Sequence, residues 1–212
     1  METGDSQDCA VPRRSLEPRH VRPMVPAVEA QARLVEACIE LLRENPVSGV
    51  TLRRLAEATG LHPTAVGRNF GSMEGLLCFV CKVLTDRVQA RLVAVRDMAV
   101  FTDPDFALRT KLLAWLIAQG VDPDNFYVQF DPQEVQEIVG AFQSEVTDHN
   151  PVSRKTAAAW VQIATFMLEG YSLFRGVHGM NDEEFNQMAA LFAAFTERLP
   201  DLQEDLGWDR DE

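Results

Sequence analysis

Val50 to Leu77 reads VTLRRLAEATGLHPTAVGRNFGSMEGLL, and the spacing within it decides the fold. Thr51 stands at an N-cap position ahead of Leu52, Leu55 and Ala56, which the i, i+3, i+4 rule places on one helix face. Gly60 can take positive φ without steric cost and ends that helix. After Leu61, His62 occupies the next cap position and Pro63 the first helical position, where a missing N–H leaves nothing unsatisfied. A second short helix follows, with Val66 and Phe70 inward and Thr64, Ala65, Gly67, Arg68 and Asn69 outward or at the rim. Ser72 caps a third helix, with Glu74 in the first turn where the helix dipole favours a carboxylate. Two short helices about three residues apart, with a third directly behind, read as a helix-turn-helix.

Working outward, Val28, Ala32, Val35, Ile39 and Leu42 mark a helix over about 28–43. Behind the motif, Leu76, Leu77, Val80, Val83, Leu84, Val88, Leu92 and Val95 extend one helix from Met73 to about Met98, long enough to leave the head and enter a body. Asp103-Pro104 marks a break, and a helix with Leu108, Leu112, Trp115 and Leu116 runs on to Gly120. Residues 121–132 hold one short helical turn. A helix from Pro132 to about Asp148 ends before Asn150-Pro151, as the restriction on the residue before proline requires. Two long helices close the chain, about Val152–Val177 and Asp182–Leu199. The expected fold is all-α with about nine helices: a three-helix helix-turn-helix head followed by a larger helical body. Its expected parts are a flexible basic arm (1–26), a DNA-binding head (27–73), a ligand-binding and dimerisation body (74–200) and an acidic tail (201–212).

Charge sharpens this division. The net charge is −12, yet residues 1–70 hold nine arginines and nine acids, while residues 71–212 hold 11 basic and 23 acidic residues. A neutral head with Arg53, Arg54 and Arg68 on the motif can neutralise a few phosphates, and the acidic body either orients the protein on a duplex or serves solubility. Within residues 13–22 of the arm, Arg13, Arg14, Arg19, His20 and Arg22 face a single acid, Glu17, so the arm either follows a minor groove or is an unstructured leader. No run of 18 apolar residues and no hydrophobic signal core appear, so a cytoplasmic protein without a membrane span is expected. Cys78 and Cys81 form a C-x-x-C inside the apolar run LLCFVCKVL, with no second pair or nearby His pair. They read as buried small hydrophobes, the alternatives being a redox or zinc pair, or a thiol switch with Cys38. His20, His62, His149 and His178 are dispersed and no nucleophile, phosphate or dinucleotide motif appears, so neither an enzyme, a metal site nor a cofactor is expected.

The chain resembles the TetR family of bacterial transcriptional regulators. The resemblance rests on the apolar helix Ala32 to Leu42, on T-x-x-x-L-A-x-x-x-G-L at Thr51 to Leu61, and on Phe70, Ser72, Glu74 and Leu76-Leu77. It covers about a quarter of the chain in detail and departs at Gly67 and Met73, where the family usually carries a tyrosine and a lysine that hold phosphates. Gly67 either lets the backbone approach DNA closely or marks a helix that has left DNA binding. The resemblance implies a homodimer on double-stranded DNA, with Thr51, Arg53 and Arg54 on phosphates and Thr64, Arg68 and Asn69 on base edges, beside His62, Pro63, Ala65 and Gly67. It also implies a body that holds an inducer, here mostly apolar, for which Trp115, Gln119, Tyr127, Phe142, Trp160, Phe166, Met167 and Tyr171 are the candidate pocket; core packing is the other account of these residues. It implies finally that the last two helices meet their copies through Ala157, Trp160, Ala164, Phe185, Ala189 and Phe192; otherwise they are an internal core pair. The expected function is a repressor released from a palindromic operator by its ligand. The alternative is a helical interaction protein of the same fold that has lost DNA binding.

Overall fold

A computed structural model describes residues 26–95, 103–126 and 152–208, with the backbone alone for 92–95. The described residues form eight α-helices and no strand: α1 Ala27–Glu44, α2 Leu52–Thr59, α3 Thr64–Phe70, α4 Met73–Val95, α5 Pro104–Ala118, α6 Arg154–His178, α7 Asp182–Glu197 and α8 Leu199–Asp205. The arm at 1–25 and the helix expected over 132–148 lie outside the described residues.

The local signals act as the spacing requires. Thr51 accepts a hydrogen bond from the Arg54 N–H, and Gly60 closes α2 at φ 70°. The His62 ring accepts from the Thr64 N–H at 3.3 Å, so the imidazole caps α3, and Pro63 already has helical φ and ψ. Ser72 accepts from the Gly75 N–H at 3.0 Å and opens α4. Asn181 and Glu184 form a reciprocal capping box at the start of α7.

Two apolar clusters organise the chain. The first joins α1, α2 and α3 to the first half of α4 and to α5, through Leu34, Ile39, Leu55, Val66, Leu76, Leu84, Leu112 and Leu116. The second joins α6 and α7 with Val88 of α4, Phe106 of α5 and Leu199. The two clusters meet across the boundary expected at residue 73: Leu108, Leu112 and Leu116 of α5 join the first cluster, and Phe106 of α5 joins the second. The segment expected as an acidic tail, 201–212, begins in helix. α8 occupies its first residues, Leu199 and Gln203 are buried, the Gln203 side-chain carbonyl accepts from the Ser153 N–H at 2.8 Å, and Lys155 lies over the Trp208 ring at 4.8 Å. No described helix is long and apolar enough to cross a membrane.

Candidate functional site

The outward side of α3 is the feature with the least structural employment. Val66 enters the core and Phe70 tilts against Phe79 with ring centroids 5.4 Å apart, which fixes which way the helix faces. His62, Pro63, Thr64, Gly67 and Arg68 are exposed, whereas Ala65 and Asn69 are half-buried, Ala65 against the head cluster. Of the three residues expected on base edges, Asn69 turns its amide back to donate to the Ala65 carbonyl at 2.8 Å, and the Thr64 hydroxyl sits 2.9 Å from the His62 ring nitrogen. Arg68 makes no ion pair with any described residue, and its guanidinium keeps its fork of donors for a partner.

The flanking arginines differ. Arg53 on α2 is exposed and pairs with Glu57 at 2.9 Å, one turn on, an arrangement that water competes with and a phosphate can displace. Arg54 instead donates to the Asn45 side-chain oxygen at 2.7 Å and to the Gly49 carbonyl at 3.2 Å, so it braces the α1–α2 connection. Asn45 completes that brace by donating to the Leu41 carbonyl at 2.8 Å. Neither Asn45 nor this bracing role of Arg54 was evident in the spacing, because the contacts close a loop whose path has no periodic signature.

Gly75 supports the motif from behind. A Cβ there would lie 2.1 Å from the Phe70 carbonyl oxygen, so the end of α3 and the start of α4 approach as closely as backbone allows. A Cβ on Gly67 meets nothing within 4 Å, which leaves that side of α3 open.

Ion pairs tie the head to the body. The Asp105 carboxylate is 2% exposed and accepts from Arg43 of α1 at 2.6 Å and Arg91 of α4 at 3.1 Å. Arg91 also pairs with Asp103, whose other oxygen caps α5 by accepting from the Asp105 N–H. The bond to Asp105 pushes the Arg43 pKa above its usual value. One turn along α5, Arg109 donates to Thr85 of α4 at 2.9 Å and to Glu169 of α6 at 2.7 Å.

The six described residues of the expected pocket are divided among different surroundings. Trp115 packs against the head cluster and Gln119 is exposed. Trp160 is buried with its indole N–H donating to Thr196 at 2.9 Å, and Phe166 is 65% exposed on another side of α6. Tyr127 and Phe142 lie outside the described residues. Trp160, Met167 and Tyr171 share the second apolar cluster, and Met167 and Tyr171 line a cleft of about 230 Å³ beside the α6–α7 turn.

The residues expected at a dimer interface pack within the chain. Ala157, Trp160, Ala164, Phe185 and Phe192 are buried within one chain, and Ala189 is half-buried. Trp160 packs on Phe192 at 5.0 Å and Tyr171 on Phe185 at 4.5 Å, so these residues hold α6 to α7 as an internal pair. The bare apolar residues are others: Ile163, Phe166, Phe174 and Val177 on α6, and Leu191 and Phe195 on α7. Helical spacing gathers each set into a stripe, and the antiparallel hairpin opens both stripes on one side.

Cys38, Cys78 and Cys81 are buried and free. Burial pushes the Cys38 thiol up to about 12 and Cys81 up to about 11, with Cys78 raised for the same first reason. Thiols so placed are poor nucleophiles and metal ligands, which disfavours the switch and zinc readings. No family model matches the chain, and neither the curated proteins nor the solved structures contain a match to it.

Proposed function

We propose that this chain is a ligand-responsive, DNA-binding transcriptional regulator of the TetR type, a cytoplasmic homodimer released from a palindromic operator by a small molecule. The observation that carries the reading is Arg68: an exposed guanidinium without an ion pair, on a short helix whose inner side is fixed by Val66 and Phe70. A side chain so placed can donate in bidentate fashion to a guanine edge in a major groove, while Arg53 and the hydroxyls of Thr51 and Thr64 reach backbone phosphates. The bare stripe of Ile163, Phe166, Leu191 and Phe195 supports self-association, because an apolar surface on two adjacent helices favours a partner of the same kind. A two-fold dimer would set two copies of α3 about one helical turn of DNA apart.

Asn69 favours a second reading. Its amide is engaged within α3, and Gly67 and Met73 offer no phosphate donors, so the fold can equally serve a helical interaction protein. Selection of the purified protein against randomised duplex DNA, followed by anisotropy titration at two salt concentrations, separates the two. A palindromic winner bound about 10³-fold above scrambled DNA, with affinity falling as salt rises, supports the regulator. No enrichment from a folded dimer moves the conclusion to the interaction protein.

A further inference from the structure

We propose that the cleft beside the α6–α7 turn binds a small amphipathic anion, a carboxylate or sulfonate carried on an aliphatic or aryl body. The cleft runs along the α6–α7 seam beside the stack of Tyr171 on Phe185. Met167 and Tyr171 form one wall, Met188 of α7 the other, and Met180 of the turn closes the end. Methionine thioethers and an aromatic face suit an apolar body of variable shape, since unbranched side chains adapt to what they touch. A volume of about 230 Å³ is several times the ~30 Å³ share of one water, which admits a body on the order of ten heavy atoms.

Charge decides the head group. On a chain of net charge −12, the basic side chains lining this cleft are Arg175 and His178, with no acid among the lining residues. Arg175 lies over the Tyr171 ring at 5.9 Å and makes no ion pair with a described residue. His178 rests edge-on against Phe174 at 6.5 Å, so both groups stand at the rim on the α6 side. The nearest acids along the chain are otherwise placed. Glu184 accepts from the Asn181 N–H in the capping box, Asp182 and Glu183 complement the N-terminal dipole of α7, and Glu169 pairs with Arg109. An apolar floor beneath an uncompensated guanidinium selects an amphipathic anion over a neutral or cationic ligand of equal size.

The site is placed to be felt by the head. Gly170, in the lining, follows Glu169, whose carboxylate holds Arg109 of α5, and one turn earlier on α5 Asp105 holds Arg43 of α1. Displacement of this turn of α6 would pull on α5 and through it on α1. That consequence rests on the regulator reading; the binding itself does not.

Octanoate and octanol test the site, read by NMR of protein carrying ¹³C-methyl methionine. Met167, Met180 and Met188 report the cleft, and half-buried Met73 in the head reports an undisturbed fold. Octanoate is expected to shift the three cleft methyls saturably and to bind roughly tenfold tighter than octanol, the worth of one charge-assisted hydrogen bond. Arg175→Gln should bring octanoate down to the octanol level while leaving octanol unchanged, with the Met73 signal unmoved. Equal binding of acid and alcohol, an unaltered octanoate titration in Arg175→Gln, or cleft methyls that do not respond would overturn the proposal. Binding at the cleft with unchanged affinity for a selected operator would leave the site standing and remove its effector role.

Discussion

Replacing Gly75 by alanine tests whether the approach of α3 to α4 is as close as it looks. A Cβ would lie 2.1 Å from the Phe70 carbonyl oxygen, and an ordinary carbon–oxygen approach is about 3.3 Å, so the backbone at the end of α3 must retreat by about 1 Å. The obstacle is backbone rather than a flexible side-chain tip, so no rotamer relieves it. Overpacking of this kind costs about 1–3 kcal/mol. Against it stands the alanine-over-glycine preference in a helix, at most about 1 kcal/mol and less in a first turn. A net loss of about 1–2 kcal/mol is therefore expected. Gly67→Ala is the matched control: its Cβ meets nothing within 4 Å, so propensity acts alone and the protein should gain about 0.5–1 kcal/mol. Urea unfolding followed by circular dichroism at 222 nm reads both, and the opposite signs carry the argument. Should Gly75→Ala raise the midpoint as Gly67→Ala does, the tight α3–α4 junction is refuted, along with its part in aiming α3.

Other perturbations address the remaining contacts. Asp105→Asn removes the shared acceptor of Arg43 and Arg91; with both arginines partly exposed, we expect a loss of about 2–3 kcal/mol in chemical denaturation, and a change under 0.5 kcal/mol would show the pairs to be idle. Burial holds Cys38 protonated in the fold up to about 12, above the ordinary 9.0, while the unfolded chain ionises first. Stability is thus unaffected by this thiol below pH 9 and is lost between pH 9 and about 12, at roughly 1.4 kcal/mol per pH unit. Cys38→Val should flatten the fall measured between pH 8 and 10, and an unchanged slope contradicts it. Phe166→Glu with Leu191→Glu places charge on the bare side of α6 and α7, so sedimentation should show a well-folded monomer, whereas a persistent dimer would place the interface elsewhere. Arg68→Ala should cost about 1–3 kcal/mol on a selected operator and relax its specificity; equal losses on all sequences would mean a phosphate contact.

Much of the head was legible because its signals are local. Thr51, Gly60, His62-Pro63 and Ser72 each act within a few residues of themselves, through caps and backbone freedom that one stretch of sequence contains. Asp105 was not legible. In Asp103-Pro104-Asp105 it looks like an ordinary first-turn acid, and what buries it arrives from residues 62 and 14 positions away. Gly75 was missed for a related reason: its need is set by the angle between two helices, which no periodicity records. Residues 201–212 read as an acidic tail on composition, and the helix over Leu199–Asp205 is held by Leu199 and by Gln203 reaching back to Ser153.

The last pair of helices shows where periodicity itself is ambiguous. α6 carries two apolar stripes: Ala157, Trp160, Ala164, Leu168 and Tyr171 on one side, and Ile163, Phe166, Phe174 and Val177 on another. Each has helical spacing, so hydrophobicity alone cannot say which turns toward α7. Polar satisfaction and ring geometry decide it. The Trp160 indole N–H needs an acceptor when buried and finds Thr196, and the Trp160–Phe192 and Tyr171–Phe185 pairs lock the same rotation of the helix at two levels. That choice leaves the other stripe bare and sets the cleft beside the seam, so the internal pairing of α6 with α7 determines which apolar surface this hairpin leaves exposed.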